Sequence, residues 1–140
     1  MGVVMEIDAA SLAGIQETKI YNYYNPFNIG FKGGGGTTGT FNASHTYGGL
    51  PSGATYAVTA PGKYTQIGVF DGVNTTTLYV NGVAQATYVS AAGSSDTTIT
   101  QLRNEYLKTM KFGDMFFKGG ALDAGEALML HNYWAEKFGF

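Results

Sequence analysis

The chain has 140 residues, a mass of 14.9 kDa, 21 glycines, no cysteine, 13% charged residues and a formal net charge of −2. One domain is expected at this length, and about two-thirds of the unfolded surface can be buried without metals or cross-links. The lack of cysteine excludes a disulfide framework, a thiolate zinc site and a cysteine nucleophile, while the acidic balance and eight scattered Lys and Arg residues exclude the basic footprint of a nucleic-acid binder.

No apolar run approaches the roughly 18 residues that cross a bilayer, and residues 1–5 carry no basic region of a secretory signal. Neither a membrane nor nucleic acid is an expected partner. In chain order, Asp8 is placed to cap a short helix containing Ala9, Ala10, Leu12, Ala13 and Ile15, with Gly14 as its weak point. Val3 to Ile7 reads equally well as a strand, so residues 1–19 are taken as an N-terminal arm or short helix. Phe27, Ile29 and Phe31 alternate with Asn28, Gly30 and Lys32, the period of a half-buried strand. Gly33 to Gly36 form a loop, since Thr37-Thr38-Gly39-Thr40 supplies neither the lysine nor the helix of a phosphate-binding loop.

Thr40 to Thr46 and Ala54 to Thr59 are further short strands, separated by the turn-rich Tyr47 to Gly53. Lys63 to Phe70 alternates cleanly, with Tyr64, Gln66, Gly68 and Phe70 on one face and Thr65, Ile67 and Val69 on the other. Asn81-Gly82 between two β-rich runs predicts a two-residue hairpin with positive φ at both positions, and Asp71 to Asn74 turns the preceding strand into it. Residues 90–98 read as a loop of small residues, Ile99 to Leu107 as either strand or helix, and Lys111 to Lys118 as a buried strand. Asp123 three residues before Glu126 resembles a capping box opening a helix over residues 122–138, with Ala127, Leu130, Trp134 and Phe138 as its apolar stripe and Gly139 as its stop. Trp134 is expected in the core.

The stretch from Tyr64 to Gly72, followed by Thr77-Leu78-Tyr79-Val80-Asn81-Gly82-Val83, resembles the central meander of concanavalin A-like, laminin-G-type jelly-roll domains. Phe112-Gly113-Asp114, the apolar strand after it and the terminal helix resemble the ending of bacterial and phage members. The resemblance covers residues 54–140 well and 20–53 loosely. It implies an all-β fold: one antiparallel β-sandwich (jelly roll) over residues 1–140 with a short C-terminal α-helix. Asp71, Asn74 and Asp114 would be its candidate calcium ligands, although calcium wants six to eight oxygen ligands, and turn formation alone accounts for Asp71 and Asn74.

The same superfamily contains glycoside hydrolases with a Glu-x-Asp-x-x-Glu strand, whose catalytic carboxyls stand about 5 Å apart. Glu6-Ile7-Asp8 begins that pattern and Ser11 ends it, so no enzyme is expected. His45 and His131, the two histidines, lack a second ligand at helical spacing, which argues against zinc. Asn42-Ala43-Ser44 and Asn74-Thr75-Thr76 match glycosylation acceptors by chance.

The expectation is a non-catalytic structural protein of a bacteriophage virion: a capsid decoration, tail or fibre protein that contacts other virion proteins or copies of itself as a homo-oligomer. On the runner-up reading, the chain is an extracellular or virion-surface carbohydrate-binding module. It would stack a glycan on Tyr21, Tyr23, Tyr24, Tyr47 and Tyr56 and hydrogen-bond it through Asn25.

Overall fold

Alternating apolar residues, punctuated by glycine and Asx turns, produce a two-layer β-sandwich with a helix laid on one outer face. The computed structural model describes residues 1–15, 17–22, 25–44, 53–90, 102–105 and 111–140. In chain order these form β1 (Gly2–Ile7), α1 (Ala9–Ala13), β2 (Glu17–Asn22), β3 (Asn25–Gly33), β4 (Gly39–Ser44) and β5 (Ala54–Val58). There follow β6 (Gly62–Phe70), β7 (Thr75–Val80), β8 (Val83–Val89), β9 (Leu102–Glu105), β10 (Lys111–Phe116) and α2 (Ala124–Phe138). One sheet runs β10-β1-β6-β7-β8 and the other β5-β4-β3-β2-β9, every pairing being antiparallel. The all-β sandwich with a C-terminal helix is therefore as expected from the sequence.

The first strand shows how the pattern becomes a core. Val3, Met5 and Ile7 share one face of β1 and join Ile29, Phe31, Phe41, Leu78 and Val80 between the sheets. Val4, on the opposite face, joins Ile67, Val69, Tyr79 and Trp134 beneath α2. Phe31 meets Phe41 at 5.6 Å between centroids, and Phe41 meets Tyr64 at 5.5 Å, both edge to face. Such pairs add about 0.5–1.5 kcal/mol beyond their buried area.

Residues 1–7 are not an arm. β1 is hydrogen-bonded to β6 on one side and β10 on the other, with Gly2 opposite Ile67 and Phe116. The Met1 amine donates to the Gly68 carbonyl at 3.0 Å, and burial pulls that amine down to about 6. Strand and short helix are both present in succession: β1 ends at Ile7, and Asp8 caps α1 by accepting from the Ser11 N–H at 2.7 Å.

The strand at Lys111 lies elsewhere than expected. β10 is the edge of its sheet, with alternating exposed and half-buried residues, and Met115 is 44% exposed. A bulge against β1 between Val3 and Met5 turns both Gly113 and Asp114 toward α2, beneath Phe138 and beside Lys137. The short apolar run thus belongs to a sheet margin that the helix touches at Gly113 and Asp114, not to a sheet interior.

The helix forms as its ends dictate. Asp123 Oδ1 accepts from the Glu126 N–H at 2.8 Å, and Glu126 Oε2 accepts from the Asp123 N–H at 3.1 Å. Gly139 closes it in the left-handed conformation, and Lys63 Nζ donates to the Phe138 carbonyl at 2.7 Å across from β6. Trp134 is 1% exposed and packs over Gly2, where an added Cβ would sit 3.1 Å from the indole. A side chain at position 2 would press on the indole, so glycine favours this close approach of β1 and α2.

Candidate functional site

Of the residues proposed to stack a glycan, Tyr23, Tyr24 and Tyr47 lie outside the described residues. Tyr21 falls within β2, paired with Asn28 and Arg103, and Asn25 opens β3 opposite Asn22. Tyr56 is half-buried on β5 and packs against the inter-sheet core, so its ring is committed to that core.

The candidate calcium ligands are also dispersed. Asp71 Oδ1 accepts from the N–H groups of Val73, Asn74 and Thr75 at 2.8, 3.0 and 3.0 Å. These bonds, chiefly that from Thr75, hold its carboxyl down to about 2. Asn74 Oδ1 accepts from the Thr75 hydroxyl at 3.0 Å. Asp114 stands two strands away on β10, where Lys137 Nζ donates to it at 2.7 Å and is itself pushed up by that contact. No group of three or more metal-binding side chains occurs among the described residues.

Glu6, Asp8 and Glu126 have comparable duties. Glu6 pairs with Lys111 at 3.3 Å. Asp8 takes both the backbone N–H and the hydroxyl of Ser11, and those bonds hold its carboxyl below the usual range. Ser11 thus completes a cap at the position where the hydrolase pattern would have its second acid. Glu126 bonds Lys118 and the Asp123 N–H, and the lysine is the larger cause of its lowered pKa. His131 is bonded through Nδ1 to the Thr65 hydroxyl at 3.1 Å, and burial pulls it below the ordinary histidine value. His45 lies outside the described residues.

One polar residue has a place that alternation alone did not convey. Gln66 is fully buried between the sheets, where its Nε2 donates to the carbonyls of Gly30 at 3.0 Å and Asn42 at 2.7 Å. Its Oε1 and the Nδ2 of the buried Asn42 have no partner among the described residues. The sequence signal was its position on the same face of β6 as Tyr64 and Gly68, a face that turns inward. Asn42, one of the two glycosylation matches, is 2% exposed and unreachable in the folded chain.

What the surface offers is backbone and apolar area. Among the described residues β8 ends its sheet, carries no charged residue over seven positions, and leaves Val83 57% and Val89 61% exposed. The opposite edge, β10, carries Lys111 and Asp114, each held in an ion pair. Charges of this kind discourage edge-to-edge pairing, and β8 lacks them. On α2, Met129 and Tyr133 also face outward. In comparisons with known proteins, no family model matches this chain, and neither a curated protein nor a solved structure does.

Proposed function

We propose that this chain is a non-catalytic assembly protein that joins its neighbours through its β-sandwich, as a structural component of a virion of the bacteriophage type. The observation that carries this reading is β8: a seven-residue, uncharged strand at the end of its sheet among the described residues, with more than half of Val83 and Val89 exposed. An edge of this composition is a template for strand addition by another chain. The acids support the same reading, because Glu6 and Asp8, which begin the hydrolase pattern, are engaged in an ion pair and a helix cap.

The setting rests on the resemblance to phage jelly-roll domains. The test is sedimentation over a wide concentration range, with the native sequence and with Thr87→Lys on the exposed side of β8. Concentration-dependent association that the lysine abolishes supports assembly through this edge. A monomer at every concentration that saturably binds a defined sugar on a glycan array overturns it in favour of the lectin reading.

A further inference from the structure

The β7–β8 turn holds chemistry that neither the fold nor the proposed function uses. Asn81 is followed by Gly82, and an asparagine before glycine is the dipeptide most open to intramolecular attack, because no side chain hinders the glycine nitrogen. The Gly82 backbone nitrogen forms a bond to Asn81 Cγ and gives up its proton. The Cγ–Nδ2 bond breaks and ammonia leaves, producing a cyclic imide. Water opens that ring at either carbonyl, leaving an aspartate or an isoaspartate at position 81 and adding a negative charge to the formal −2.

Ring closure requires the Asn81 carboxamide and the Gly82 nitrogen to swing together, and three features of the fold oppose that movement. Asn81 sits at φ 52° and Gly82 at φ 75°, the paired left-handed conformations of a tight hairpin. Asn81 is bonded to β6 twice: its N–H donates to the Thr65 carbonyl at 3.0 Å, and its Oδ1 accepts from the Thr65 N–H at 3.0 Å. Helix α2 covers the turn, with Leu128 Cδ1 and His131 Cβ lying 3.0 and 3.1 Å from where a Gly82 Cβ would stand. Gly82 is accordingly buried.

We infer that Asn81-Gly82 is a latent modification site, shielded by β6 and α2 in the folded chain and converted to aspartate or isoaspartate once that cover opens. An isoaspartate adds a methylene to the main chain inside a two-residue turn. The β7–β8 register then cannot re-form, so unfolding becomes irreversible with time.

The test is to incubate the full chain in mildly alkaline buffer, with and without denaturing urea, and follow position 81 by peptide mapping and enzymatic isoaspartate labelling. The native chain is expected to convert at least about tenfold more slowly than the unfolded one, the factor set by a local opening free energy of about 1.4 kcal/mol. Leu128→Ala, a change at a half-exposed position, is expected to speed conversion severalfold in native buffer and leave the rate in urea unchanged. Equal rates in the folded and unfolded wild-type chain overturn the shielding. A native rate unaffected by Leu128→Ala overturns the part assigned to α2.

Discussion

At the residue scale, single side chains hold turns and junctions that the apolar pattern does not stabilise. Asp71 is the clearest case, because one carboxylate oxygen serves three consecutive backbone donors at the β6–β7 turn. Its pKa falls from 3.8 to about 2 on folding, so its stabilisation is fully present above about pH 4 and is lost as pH drops through 2. Asp71→Ala is expected to lower stability at neutral pH and flatten the decline between pH 4 and 2, as read by urea titrations across that range. Trp134 represents the opposite kind of residue, an apolar anchor with no polar duty. Trp134→Ala is expected to cost about 3–5 kcal/mol in urea unfolding, whereas Tyr133→Ala at its exposed neighbour stays within about 0.5 kcal/mol.

At the element scale, α2 forms through its ends and is held through its inner stripe. Both bonds of the capping box are made, so Asp123→Ala is expected to lower stability by about 1 kcal/mol in a thermal melt. The box was legible in the sequence because its donor and acceptor lie three residues apart. The β7–β8 hairpin was legible for the same reason, since Asn81-Gly82 alone supplies the two positive φ angles. β10 was less legible: its apolar run describes a face but not which neighbours flank it, and its bulge against β1 exists only in the pairing.

At the scale of the whole molecule, β1 joins the chain's beginning to its end. It pairs with β6 and with β10, and its two faces contribute to two different cores. Removing residues 1–7 is expected to abolish cooperative unfolding by circular dichroism, because β6 and β10 lose their shared partner and Val3, Met5 and Ile7 leave the inter-sheet core. Retention of a sharp transition in that truncated chain would return the segment to the status of an appendage. The candidate glycan and calcium residues were chosen by type along the chain, and type carries no distance. Asp71 ends in the β6–β7 turn and Asp114 on β10, and Tyr56 is drawn into the core.

By itself the sequence determined what is decided over a few residues: the alternation that makes strands, the Asn81-Gly82 and Asp71 turns, the caps at Asp8 and Asp123, and a helix with Trp134 on its inner stripe. Those features depend on local hydrogen bonds and side-chain periodicity, which the order of residues states directly. Only the tertiary structure decided which strands are neighbours. It set β1 between β6 and β10, left β8 and β10 as edges, and carried Gln66 into the middle of the sandwich to bond both Gly30 and Asn42. Those outcomes join residues far apart in the chain, and alternation says only that a face is buried, not what buries it.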